Sequence, residues 1–168
     1  MVLQGIRPQI WGRFKVPAGI SFYALHDIVQ IVMGWENYNL YRFDVGWKDF
    51  TMEPMAGEDH NVYEPIDGYL SEVSDQFFYE YDFGDRWVHV MILEKFLVRE
   101  MAEPLCVAGN RACPPEDNSG PLLYDEFLRS RQAHKGRVSR KWQHRIGTYW
   151  DADAFDIDVT NETLKDDW

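Results

Sequence analysis

The segment from Gln76 to Phe96 limits what this chain can fold into more than any other. From Gln76 to Asp82 the residues alternate, with Phe77, Tyr79 and Tyr81 on one side, as in a strand with one buried face. Phe83-Gly84-Asp85 supplies the turn, with Gly84 expected to hold the positive φ. The return segment from Arg86 to Phe96 places Trp87, Met91 and Leu93 on one face and Val88, Val90 and Ile92 on the other. Apolar residues on both faces predict a central strand covered on both sides. A central hairpin at about 76–96 therefore calls for further strands and a packed layer, which points to the α+β class with a mixed or antiparallel sheet.

The amphipathic helix that packs on such a sheet lies at about 21–33. Ser21 is a good N-cap, Phe22, Leu25, Ile28, Val29, Val32 and Met33 recur at helical spacing, and Gly34 ends the run. Residues 2–16 read as a first strand limited by Pro8, and residues 38–45 as a second. Residues 46–68, rich in Gly, Pro, Asp and Glu, read as loop, and residues 69–74 as a short helical turn. A long ordered loop is expected over 103–121, where prolines and glycines gather, followed by a helix at about 124–130 and a short helix in the tail. The whole chain, 1–168, is expected to be one compact domain, with a basic segment at 127–150 and an acidic tail at 151–168.

Net charge sharpens this division. The chain carries 17 Lys and Arg against 28 Asp and Glu, a formal net charge of −11. That balance argues against a surface that grips nucleic acid or anionic lipid throughout. Yet no acid lies between Phe127 and Trp150, where Arg129, Arg131, Lys135, Arg137, Arg140, Lys141 and Arg145 stand with Trp142, Tyr149 and Trp150. Arg with aromatics suits phosphate contact and base stacking, and equally a protein interface. No run approaches the roughly 18 apolar residues of a membrane span, and the N-terminus lacks a secretory pattern. Two cysteines make no disulfide framework, so a cytoplasmic setting with free thiols is expected.

Candidate chemistry is sparse. Asp82-Phe83-Gly84 matches the metal-binding tripeptide of kinases, but no phosphate-binding loop accompanies it, and a hairpin turn explains it better. His89 reads as a buried, hydrogen-bonded core residue, and His26 could face the sheet edge or solvent. Cys106, Cys113, His26 and His89 form the candidate zinc set, weighed against buried thiols. Glu116 and Asp117 follow two prolines, either capping the next helix or presenting carboxylates to a metal or partner. Asp82 and Asp85 are outer-shell options.

Taken in order, several blocks resemble one family. They are Ile10-Trp11, Val16-Pro17, Leu25-His26, Gly34-Trp35, the run from Tyr79 to His89, the run from Cys106 to Asp117, and then Gly120, Tyr124, Phe127-Leu128, Phe155-Asp156 and Asn161. Together they resemble the plasmid pRiA4b ORF-3-like family, some of whose members are described as insertion-element passenger proteins. The likeness runs from about Leu3 to Leu164 and marks Asp82, Asp85, Trp87, His89, Glu116 and Asp117 as the family-type loop residues. It implies a compact α+β domain, a mobile-element setting by association, and no settled activity. Gly12, Asn39 and Ser119 depart from the pattern, which expects Arg, His and Gly there.

Three functions compete. The first is a non-enzymatic interaction or accessory domain with a protein partner. The second is a nucleic-acid contact through residues 129–145. The third is a metal-binding protein or metal-dependent hydrolase built on the zinc set with Glu116 and Asp117. No nucleophile elbow, phosphate loop or dinucleotide fingerprint is present, so the reading leans away from an enzyme, with no cofactor expected.

Overall fold

The computed structural model describes the chain except residues 47, 53–58, 67–75, 99–100, 117–119, 135–139 and 147–149, and except the side chains of residues 59, 145 and 146. The described elements are β1 (Val2–Leu3), β2 (Trp11–Lys15), α1 (Phe22–Met33), β3 (Tyr41–Val45), β4 (Lys48–Thr51), β5 (Asp59–Asn61), β6 (Gln76–Tyr81), β7 (Trp87–Ile92), β8 (Leu105–Asn110), α2 (Gly120–Ala133), α3 (Arg140–Ile146) and α4 (Ile157–Asp167). The strands form one sheet in the order β5-β4-β3-β6-β7-β1-β2-β8, antiparallel throughout except for the parallel pair β4–β5. The class is α+β.

One face of the sheet carries the core. Directly paired residues share a face, so the register lays a buried row, Phe50–Phe43–Tyr79–His89–Leu3, across five strands. Helix α1 lies on it, with Phe22 stacked on Phe50 at 4.1 Å between ring centres and tilted against Phe43 at 5.2 Å. Ser21 caps α1 by accepting from the Ala24 N–H at 3.1 Å, and Gly34 closes it in the left-handed region at φ 74°. Helix α2 adds Tyr124 edge-on to Trp87 at 6.4 Å, and α3 adds Trp142 against Phe127 at 5.4 Å.

The hairpin is where expected, with three differences. The positive φ belongs to Asp82 (57°) and Arg86 (59°), not to Gly84. Asp82 tolerates that conformation because its Oδ1 accepts from the Gly84 and Asp85 N–H groups at 2.9 and 3.1 Å. The return strand stops at Ile92, because its neighbour β6 begins at the paired Gln76. It is central but not covered on both sides: Val88 and Val90 are half-buried and Ile92 is 50% exposed.

Other expectations change in the same way. The first strand is two, β1 and β2, antiparallel at Val2 and Trp11, and β1 sits inside the sheet. The expected loops at 46–68 and 103–121 contain β4, β5 and β8. Gly109 obscured β8 in sequence, yet the position needs glycine: a Cβ there would lie 2.1 Å from the Phe155 ring. Gly120 opens α2 at φ 80°, with Pro121 next, and a Cβ on it would lie 2.6 Å from the Asp85 carbonyl oxygen. The tail helix is a full α4 capped by Asp156, whose side chain accepts from the Asp158 and Val159 N–H groups. The expected helical turn at 69–74 falls outside the described residues.

Helix α4 also closes the sheet's β8 edge. The Asn161 Oδ1 accepts from the Cys106 N–H at 2.8 Å, and its Nδ2 donates to the Cys106 carbonyl at 2.9 Å. One side-chain amide thus takes the place of a neighbouring strand.

Candidate functional site

Under α1 the polar side chains form a closed relay. His26 is buried against the sheet, neither at its edge nor in solvent, and stacks on Tyr41 at 3.5 Å. The Gln30 amide donates to the Tyr79 hydroxyl at 2.8 Å, which stands 2.7 Å from His26 Nδ1. Asn37 Oδ1 stands 2.7 Å from His26 Nε2. An Oδ1 acceptor fixes the proton on Nε2, so Tyr79 donates to Nδ1 and the imidazole is neutral. Burial pushes the His26 pKa down to about 4, against a smaller opposing effect of Asn37. The Tyr79 phenol is held well above its ordinary range by the same burial.

His89 is buried but not hydrogen-bonded as expected. It lies between Trp35, edge-on at 5.3 Å, and Tyr79 at 5.4 Å, and neither ring nitrogen reaches a hydrogen-bond partner among the described residues. Burial lowers its pKa to about 3, with nearby Tyr79 and Trp87 backbone groups offsetting part of the shift.

Glu116 bonds to distant parts of the chain through both of its carboxylate oxygens. Its Oε1 accepts from the Tyr81 hydroxyl, and its Oε2 accepts from the Glu36 N–H at 3.0 Å. The Tyr81 oxygen also accepts from the Tyr38 and Asn39 N–H groups at 3.0 and 3.2 Å. Burial foremost, then the bond to Glu116, pushes the Tyr81 pKa up to about 12. Trp35 stacks on Tyr81 at 4.8 Å and donates its indole N–H to the Pro114 carbonyl at 2.7 Å. The family-type residues Asp82, Asp85, Trp87, His89 and Glu116 thus build one end of the sheet, while Asp117 lies outside the described residues.

The zinc set does not assemble. Among the described residues no three of His, Cys, Asp and Glu converge on a metal position. His26 and His89 border Tyr79, whereas Cys106 sits at β8 with its thiol toward the Arg13 and Ala108 carbonyls. Cys113 is buried, and burial raises its pKa well above the usual thiol range.

Three of the basic segment's seven charges meet acids on the same chain. Arg129 pairs with Asp125 at 2.6 Å, Lys141 with Glu126 at 3.2 Å, and Arg131 with Asp151 and Asp153 at 3.1 and 2.7 Å. Trp142, expected to interleave with these charges for stacking, is 3% exposed and belongs to the core; Trp150 packs on Tyr124 and Phe127. Arg140 is exposed. Lys135, Arg137 and the Arg145 side chain lie outside what is described.

The sheet's other face is the site that sequence reasoning missed. The register defines a second row on it: Asp49–Asp44–Phe78–Val90–Val2–Trp11–Asn110, crossing seven strands. Phe78, Val90, Val2 and Trp11 are only half-buried. Beside them Glu80, 8% exposed, accepts from Arg42 at 2.9 Å and Arg86 at 3.1 Å. Arg42, Asp44, Phe78, Glu80, Arg86 and Val88 line a shallow depression of about 150 Å³. The signal is present in the apolar Val88, Val90 and Ile92, which pattern alone takes for a covered face.

The aromatic hairpin, the Asn161 clasp and the Glu116 contact all use the blocks quoted for the family. The family described as Plasmid pRiA4b ORF-3-like protein matches residues 1–159. The chain belongs to this family. Uncharacterized protein y4hQ of Sinorhizobium fredii (strain NBRC 101917 / NGR234) is 33% identical over 132 residues, covering 76% of this chain and 68% of its own. The crystal structure of a protein of unknown function, MM3350 from Methanosarcina mazei Go1, superposes with a TM-score of 0.82 at 31% identity, covering 94% of this chain and 92% of that one. These relatives carry no assigned activity, and the pRiA4b ORF-3-like domain is one of unknown function. Among the described residues no helix is long and apolar enough to cross a membrane.

Proposed function

We propose that this pRiA4b ORF-3-like domain is a non-enzymatic interaction module whose contact surface is the uncovered outer face of the sheet. The observation that carries the reading is the half-buried apolar row Phe78–Val90–Val2–Trp11, extended by Ile92 at 50% exposure. An antiparallel sheet that simply faced water would place polar residues at those positions. A contiguous apolar strip rimmed by charges is the mark of a surface that meets a partner. The polar groups of the inner face support the same reading, because His26, Tyr79, Gln30 and Tyr81 bond to one another and to neighbouring chain groups. The basic segment becomes a secondary element, because three of its bases, Arg129, Arg131 and Lys141, pair with Asp125, Glu126, Asp151 and Asp153. A cytoplasmic accessory role in a mobile-element setting is part of this reading.

Site-specific photo-crosslinking in cells tests it. A photoreactive side chain in place of Ile92, on the outer face, should give discrete adducts. The same group in place of Leu122, 90% exposed on α2, should give none of them. No adduct from residue 92, or identical bands from both, would count against the reading.

A further inference from the structure

We propose that the outer face joins two copies of this chain, packed sheet to sheet about a two-fold axis that runs parallel to the strands between β6 and β7. This deepens the reading of that face as an interaction surface and rests on it.

The strand order makes the arrangement self-matching. From the axis outward the strands run β6, β3, β4 on one side and β7, β1, β2 on the other. The two-fold therefore lays β6 over β7 of the second copy, β3 over β1, and β4 over β2. Phe78 meets Val90 of the second copy at the centre, and the contact occurs twice, as an isologous interface requires.

Charge selects this axis. The acids of the row, Asp44 and Asp49, stand on β3 and β4; Trp11 and Arg13 stand on β2. The proposed axis carries Asp49 over Trp11 and Arg13 of the second copy. An axis across the strands would instead set Asp44 and Asp49 against themselves, which like charges oppose.

The single copy leaves these groups poorly served. Asp44 and Asp49 face each other directly across β3 and β4, an unfavourable pairing. Burial, and then Asp49, push the Asp44 pKa up. Arg42 reaches Asp49 at only 3.5 Å. Arg13 has an exposed partner in Glu94 at 2.9 Å, a pair of small worth in water. Across the interface Arg13 and Trp11 would both find a carboxylate.

The patch spans five strand spacings, roughly 24 Å, by about 17 Å along the central strands. That is small for a stable interface, so association is expected at micromolar concentration and should weaken with salt.

Sedimentation velocity on the full chain, from low to several hundred micromolar, is the test. A reversible monomer–dimer equilibrium is expected. Val90→Glu should abolish it while the circular dichroism spectrum stays unchanged. Asp49→Lys alone and Arg13→Glu alone should each weaken it by roughly tenfold or more. Mixing these two variants should restore dimers. In the mixed pair the introduced lysine of one copy faces the introduced glutamate of the other, and the unchanged Arg13 and Asp49 meet at the second contact. A chain monomeric at every concentration overturns the proposal, as does a dimer indifferent to these changes. A monomeric chain that still crosslinks to another protein from residue 92 overturns the two-fold dimer alone. A monomeric chain without adducts overturns the interaction surface as well.

Discussion

His26 and Tyr79 show how a buried polar pair can be structural and still look catalytic. A histidine beside a tyrosine invites a proton-transfer reading, but the relay from Gln30 through Tyr79 to His26 and Asn37 satisfies every group named in it. Its value to the fold can be measured. Tyr79→Phe keeps the ring stack and removes one oxygen, leaving His26 Nδ1 and the Gln30 amide without that partner. We expect a loss of about 2 kcal/mol, since stranded buried polar groups cost about 1–3 kcal/mol each and some relaxation follows. Denaturant unfolding should show a lower midpoint at unchanged slope. An unchanged midpoint would mean that the relay contributes nothing.

Strand β8 and helix α4 stabilise each other through one side chain. The sheet would otherwise end at β8 with unpaired backbone groups, and the Cys106 N–H and carbonyl are taken up by Asn161 instead. Asn161→Ala should therefore cost about 2 kcal/mol, and Asn161→Asp at least as much, because a carboxylate cannot donate to the Cys106 carbonyl. The freed edge should also promote aggregation, visible as light scattering on heating. Equal stability and solubility of all three proteins would show that the clasp is incidental. Phe155, seated against Gly109 just before α4, holds the same segment from the inner side.

The fold as a unit should respond to acid through its two buried histidines. His26 and His89 are neutral when folded, with pKa values lowered by burial to about 4 and about 3. Unfolded, each titrates near 6.5. Their stabilising effect is therefore fully present above about pH 6.5. It is lost as pH falls below that value, because the unfolded chain takes up protons that the folded chain refuses. The slope reaches about 2.7 kcal/mol per pH unit when both groups differ by a full proton. Asp27 and Asp44, raised by burial, oppose this nearer the carboxylate range. Unfolding free energies between about pH 6.5 and 5.5 should show the slope, and His89→Leu should roughly halve it. With no hydrogen-bond partner to strand, that substitution should cost little at neutral pH. A slope that survives His89→Leu undiminished would contradict the assignment.

Local pattern alone carried the amphipathic helix with its Ser21 and Gly34 ends, the alternating hairpin, the α+β class and the family blocks. Each of these depends on neighbours in sequence: helical spacing, period-two alternation, a capping hydroxyl. The same information could not tell whether the second apolar face of β7 was covered, because cover depends on where distant elements pack. It gave no hint that Trp142 would turn into the core while Arg129, Arg131 and Lys141 met acids on their own chain. Nor could it find the Asp49-to-Asn110 row, which exists only because a register fixed by long-range pairing lines up residues from six separate strands beside β4. Strands β4 and β5 are too brief to show a period and β8 is obscured by its glycine, so pairing with their neighbours is what makes them strands.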